Sequence, residues 1–195
     1  MIKPFEFYFD FASPYTFIAH KKIRRIEKEN SIKIRYMPIL LGGLLKLAGI
    51  KPNVDIPIKA KYMIKDCKLW AEKYDITFKF NNYFPIETLN LMRCVLVAER
   101  KNFAENFINK VFDTIWKDGL NLNDNAVIEK LLKNLDINPE TFLAESMDQK
   151  IKDVLKKKTG DAFMKGIFGS PSFMVNNKIF WGQDRFEFVL NEAKK

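Results

Sequence analysis

Between Pro4 and Thr16 the chain reads Pro-Phe-Glu-Phe-Tyr-Phe-Asp-Phe-Ala-Ser-Pro-Tyr-Thr. From Phe5 to Phe11 every residue is aromatic except Glu6 and Asp10. A strand this apolar does not fit a half-solvated surface; it reads as a central strand covered on both faces. Ser13-Pro14 then opens a helix, serine being a favoured N-cap and proline a favoured first helical residue. Tyr15, Phe17, Ile18, Ile23 and Ile26 continue at helical spacing. Ser13 therefore stands where a buried strand turns into a helix. There, unpaired backbone N–H groups and the positive end of the helix dipole favour an anion. Two roles remain open for Ser13 on these residues alone, a plain helix cap and a ligand-facing hydroxyl.

The remaining composition narrows the chemistry. At 195 residues the chain can bury a substantial core. Its net charge of +9 comes mainly from lysines scattered over helical faces, with no glycine-arginine tract and no zinc spacing. This reads as a solvated surface that helps attract anionic ligands, not as a nucleic-acid site. Cys67 and Cys94 are too far apart to form a Cys-x-x-Cys centre, and neither has a second ligand nearby in sequence. With one histidine, His20, inside the first helix, a His-based metal site or a Ser-His-Asp triad is hard to build, and no metal is expected. No signal peptide precedes the first strand and no apolar run approaches membrane-spanning length, so a reducing cytoplasm and no membrane partner are expected.

In chain order, the pattern predicts a strand over 4–10, a helix over 14–29 and a strand over Ile32–Met37, a spacing that suggests a right-handed βαβ unit. A short apolar helix follows and stops at Gly49. From about 58 to 147 the periodicity is helical: 58–74, 89–101, 103–117, 124–134 and 139–146, with Asp124 and Asn138 as N-caps. A long helix runs from about Asp148 to Phe163. Ser172–Val175 and Lys178–Trp181 form a hairpin across Asn176-Asn177, a pair suited to positive φ. A final helix follows, with Asp184 and Glu187 spaced as a capping box.

Three more stretches stand out. Phe168-Gly169-Ser170-Pro171-Ser172-Phe173 places a proline just before a strand, where a plain turn is one reading. Phe180-Trp181-Gly182-Gln183-Asp184-Arg185 sets an aspartate at a helix start. Such a site can hold a carboxylate on backbone N–H groups while Asp184 receives an ammonium. Pro57-Ile58-Lys59-Ala60-Lys61-Tyr62 opens a helix with an early lysine.

Together these stretches resemble the 2-hydroxychromene-2-carboxylate isomerases and the related kappa-class glutathione transferases, in the DsbA-like thioredoxin superfamily. The resemblance covers essentially the whole chain: Phe-Asp-Phe-x-Ser-Pro-Tyr, Pro-x-Lys-x-x-Tyr, the proline loop, and Phe-Trp-Gly-x-Asp-Arg, in order. It implies an α/β thioredoxin-like domain over 1–38 and 148–195, with an all-helical insertion domain over 39–147. Ser13-Pro14-Tyr15-Thr16 stands in place of a redox Cys-x-x-Cys. The resemblance implies that Ser13 is the catalytic residue serving glutathione and that Pro171 is cis. It further implies that Ser170 pairs with the cysteinyl backbone, that Gly182, Gln183 and Asp184 hold the γ-glutamyl end, and that Lys59 reaches the glycyl carboxylate. A homodimer is expected on the same ground. Tyr83, Phe84 and Trp116 are candidate walls for an aromatic substrate.

The activity implied is a glutathione-dependent isomerisation of 2-hydroxychromene-2-carboxylate to trans-o-hydroxybenzylidenepyruvate. The alternative is a kappa-like transferase or peroxidase acting on another small electrophile. DsbA-type thiol–disulfide exchange is disfavoured because neither Ser13 nor Thr16 can form a mixed disulfide. A non-catalytic glutathione-binding module is the remaining reading. Two departures bear on the substrate. Ile50 stands near where the family often places an asparagine, and Glu87 adds a carboxylate near the expected pocket.

Overall fold

The computed structural model describes residues 2–30, 32 and 34–195; Met1, Ser31 and Lys33 lie outside the described residues. Strand β1 (Phe5–Phe9) leads through the Ser13 turn into helix α1 (Pro14–Asn30) and strand β2 (Ile34–Pro38). Helices α2 (Leu41–Leu47), α3 (Pro57–Lys73), α4 (Leu89–Arg100), α5 (Ala104–Trp116), α6 (Asn125–Lys133), α7 (Pro139–Ser146) and α8 (Gln149–Met164) follow. A hairpin of β3 (Ser172–Val175) and β4 (Lys178–Trp181) leads to α9 (Phe186–Ala193). The second strand starts at Ile34, not at Ile32 as the alternation predicts, and its predicted Lys33 lies outside the described residues.

The sheet order is β2-β1-β3-β4, with β1 parallel to β2 and antiparallel to β3. β1 is thus interior, as its aromatic run requires. Alternation sends Phe5, Phe7 and Phe9 to one face, where they pack with Phe173, Phe112 and Phe186. Tyr8 points to the other face and joins Ile39, Leu44, Ala162 and Ile167 beneath α8 and α2. The larger core continues from the sheet into α3, α4, α5, α6 and α7, so sheet and helices share one apolar interior. Truncating any of the β1 phenylalanines would cost about 3–5 kcal/mol.

Local signals behave as their chemistry predicts. Asp124 accepts from the Ala126 N–H and Asn138 from the Thr141 N–H, each capping its helix. Asn176 and Asn177 take φ of 49° and 59° in the hairpin turn. The expected capping box at Asp184 does not form. The chain reverses at Gly182 (φ 118°), α9 begins only at Phe186, and Arg185 is its N-cap with no side-chain cap bond. Asp184 falls in the preceding turn and pairs with the Arg185 guanidinium at 3.2 Å. Among the described residues no helix is long and apolar enough to cross a membrane.

His20 is a structural residue of α1. Its ring stacks on Phe112 at 4.7 Å, and its nitrogens meet Tyr36 Oη at 2.8 Å and Asn109 Oδ1 at 2.7 Å. Asn109 Oδ1 can only accept, so Nε2 carries the proton and Nδ1 accepts from the tyrosine. Burial, aided by the neighbouring Lys21 and Arg24 charges, lowers its pKa to about 3. In the unfolded chain the ring titrates near 6.5. Between those values only the unfolded state takes the proton, so this contribution is intact above pH 6.5 and lost as pH falls toward 3. The expected slope is up to about 1.4 kcal/mol per pH unit. Urea denaturation at pH 6.5 and 4.5 should show a steeper loss for the wild type than for His20→Gln, which lacks the titrating ring.

Candidate active site

The site begins with the end of β1, where Asp10 is the second of the two acids in the aromatic run. Its side chain is fully buried. Oδ1 accepts the Ala12 N–H at 3.0 Å and Oδ2 accepts the Leu41 N–H at 2.7 Å. The Thr88 hydroxyl, at the start of α4, faces the same carboxyl and favours its charged form. One carboxylate thereby ties the β1–α1 turn to the first residues of α2 and α4. Burial raises its pKa, against the opposing pull of those three donors. Behind the same turn, Trp116 donates its indole N–H to the Phe11 carbonyl at 2.8 Å.

Held this way, Ser13 caps α1: its Oγ accepts the Thr16 N–H at 3.2 Å. The same oxygen donates to the Ser170 carbonyl at 3.1 Å, across 157 residues of sequence. Ser170–Pro171 is a cis peptide, in agreement with the expectation for Pro171. Thr16 Oγ1 lies 2.9 Å from Ser170 Oγ, which in turn donates to the Tyr8 carbonyl at 3.2 Å. Three hydroxyls from two distant segments converge at the N-terminus of a 17-residue helix. The Gly182 N–H donates to the Pro171 carbonyl at 3.0 Å, so the turn carrying Gly182, Gln183 and Asp184 is pinned to the proline loop. Gln183 is buried and Asp184 half-exposed.

Lys59 stands exposed on the first turn of α3. α3 runs parallel to α1, because Tyr15 Oη donates to Asp66 at 2.8 Å and Arg25 donates to the Tyr74 carbonyl at 2.6 Å. Lys59 precedes Asp66 by about two helical turns, roughly 10 Å. It therefore lies on the part of α3 that precedes the Tyr15–Asp66 contact. Tyr83 is exposed and Phe84 half-buried, its ring packed on Phe80 and Trp116. Trp116 itself is fully enclosed, so it supports the turn from behind and does not form an open wall. The reason is its partner set: Phe78, Phe80 and Phe84 surround the ring, and the Phe11 carbonyl takes its N–H.

Sequence reasoning missed Asp10 and Thr16. An acid at the turn end of an aromatic strand was a signal for the first; the Ser-x-x-Thr spacing across one helical turn was a signal for the second. It also missed the aromatic pair Phe168–Trp181, whose rings lie 5.1 Å apart beside the proline loop. A Cβ on Gly169 would come within 2.6 Å of Trp181 Nε1, so any side chain there would displace the Trp181 ring from this close approach.

Neither cysteine is suited to attack. Both are buried, and burial pushes the Cys94 thiol up to about 11 and raises that of Cys67 as well. What the cluster offers instead is hydroxyl donation and backbone pairing beside a helix N-terminus.

Removing one oxygen acceptor from Asp10 tests its bracing role. In Asp10→Asn the amide can accept through one atom only, leaving the Ala12 or Leu41 N–H facing an NH₂ group. Urea denaturation at pH 7 should show a loss of about 1–3 kcal/mol.

The family model of the DSBA-like thioredoxin domain matches residues 5–194. Over 191 residues the chain is 27% identical to 2-hydroxychromene-2-carboxylate isomerase of Sphingobium xenophagum, covering 97% of each protein. It is 26% identical to glutathione S-transferase kappa 1 of Caenorhabditis elegans, over 95% of this chain and 88% of that one. The solved structure of a 2-hydroxychromene-2-carboxylate isomerase superposes with a TM-score of 0.88 at 23% identity, over 98% of this chain and 94% of the other.

Proposed function

The chain belongs to the DSBA-like thioredoxin family, and on that premise we propose that it is a glutathione-dependent enzyme in which Ser13 holds the sulfur as thiolate. The observation that carries the reading is the convergence of the Ser13 hydroxyl, the α1 N-terminus and the Ser170 carbonyl within hydrogen-bond distance. The donor, the dipole and the backbone acceptor are the three features a cysteinyl tripeptide needs. Relatives named as isomerases and as glutathione transferases support the class of activity.

The magnitudes are adequate. A free thiol ionises near pH 8.5, so few per cent is thiolate at neutrality. Lowering that by about two units takes roughly 2.7 kcal/mol. A hydrogen bond to a charged partner contributes about 1.5–3 kcal/mol and the helix end about 0.3–1 kcal/mol. No additional base is required, and His20 is committed elsewhere in the core.

On this reading Ser170 and Pro171 receive the cysteinyl backbone as one more strand. Asp184, with Gly182 and Gln183, takes the γ-glutamyl ammonium, and Lys59 the glycyl carboxylate. The reaction is an isomerisation. The thiolate adds to an unsaturated carbon of 2-hydroxychromene-2-carboxylate and the ring opens. Rotation follows about the bond that has become single. Loss of the sulfur then gives trans-o-hydroxybenzylidenepyruvate and returns glutathione unchanged. Tyr83 and Phe84 would face the aromatic ring. The comparable likeness to kappa 1 favours a second reading, in which the same thiolate is consumed by conjugation. Turnover on chromene carboxylate, set beside chlorodinitrobenzene and cumene hydroperoxide, separates the two.

The ultraviolet thiolate absorbance of bound glutathione, followed against pH, tests the shared step. The wild type should ionise glutathione with a midpoint near pH 6.5 and be flat above about pH 8. Ser13→Ala should rise only toward pH 8.5, leaving roughly twentyfold less thiolate at pH 7. Coincident curves would reduce Ser13 to a helix cap. Asp184→Asn should weaken glutathione binding about tenfold or more in calorimetry. It should leave the affinity for an analogue without the γ-glutamyl amino group nearly unchanged.

A further inference from the structure

The hydroxyl protons of Ser13, Thr16 and Ser170 are all assigned by the geometry. Ser170 Oγ donates to the Tyr8 carbonyl at 3.2 Å, so its single proton is committed. In the 2.9 Å contact between Thr16 Oγ1 and Ser170 Oγ, Thr16 is then the donor. Ser13 Oγ directs its own proton at the Ser170 carbonyl. Thr16 is fully enclosed, so its hydroxyl meets no ligand directly. Its influence on the site runs through Ser170.

This chain of donors has a consequence for binding. The Ser13 hydroxyl has one proton and cannot serve a sulfur and the Ser170 carbonyl together. Turning it to a sulfur strands the carbonyl of a residue that is only 9% exposed. An unpaired buried acceptor is costly, unless another donor replaces the lost one. A peptide N–H laid along the proline loop is such a donor.

We propose that Thr16 is a positioning residue for glutathione: through the Ser170 hydroxyl it fixes the carbonyl that releases Ser13 and accepts the cysteinyl amide. The inference rests on the glutathione reading above. In the exchange the Ser170 carbonyl loses an O–H donor and gains an N–H donor. Ser13 gains the sulfur, and the thiol proton passes to solvent. Backbone pairing frees the Ser13 proton for the sulfur, so a thiol without the amide is ionised poorly, and once the pairing is made the ionisation pH is set by Ser13. Anchored by Thr16 on one side and Tyr8 on the other, Ser170 keeps its carbonyl aimed along the loop. With the Thr16 donor gone, the Ser170 hydroxyl keeps only the Tyr8 contact, and the loop is held less firmly.

Calorimetric titration with glutathione and with S-methylglutathione, which has no thiol to ionise, tests the assignment. Thr16→Val should bind both ligands about fivefold more weakly, the scale of one net hydrogen bond. Thr16→Ser should restore both to within about twofold. The pH at which bound glutathione ionises should stay at the wild-type value, since Ser13 is intact. Wild-type affinity of Thr16→Val for both ligands overturns the assignment and leaves the glutathione reading standing. So does a shifted ionisation with S-methylglutathione unaffected, which would place Thr16 on the sulfur. Failure of the wild type to bind either ligand overturns both. Should Thr16→Val not melt as a folded protein, Ser170→Ala removes the same link from its other end and is read by the same criteria.

Discussion

The enclosure of β1 is the constraint on which the molecule depends. Phe5, Phe7 and Phe9 fill one side of the strand and Tyr8 the other, each almost free of solvent. A strand with two dry faces must lie inside a sheet, and the sheet must then be covered on both sides. The helices meet that demand through a core continuous with the sheet. Because the strand is interior, the turn at its end is interior as well, and its polar groups need partners.

Asp10 and Ser13 meet that second demand. The Asp10 carboxylate gathers N–H groups from the turn and from α2. Ser13 accepts the Thr16 N–H and donates to the Ser170 carbonyl. The same bonds that satisfy a buried turn bring hydroxyls, a backbone carbonyl and a helix end to one place. In a turn resembling a redox Cys-x-x-Cys with its sulfurs replaced, this is the arrangement that the proposed function uses to bind and ionise another molecule's thiol. It has no sulfur of its own to exchange, and Cys67 and Cys94 lie buried elsewhere with raised pKa values.

Much of this was legible where the governing interactions are local. Ser13-Pro14 signals a helix start because cap and first residue act on adjacent backbone. Asp124 and Asn138 cap for the same reason, and Asn176-Asn177 turns because asparagine tolerates positive φ. Asp184 shows the limit. Its spacing to Glu187 is that of a capping box, yet the turn at Gly182 delays α9, and a guanidinium becomes its neighbour instead. Trp116 at helical spacing could equally line a pocket or fill the core. The ring of phenylalanines around it decided for the core.

The sequence by itself determined the central strand, the helix that begins at Ser13, the proline loop and the order in which they occur. Periodicity, caps and turn residues act within a few positions of the chain. Only the tertiary structure decided that Ser170 meets Ser13 and Thr16, that Asp10 ties the β1–α1 turn to later helices, and that α3 packs beside α1. Those contacts join residues tens to more than a hundred positions apart. Their geometry follows from how the sheet and helices pack, and no local pattern encodes it.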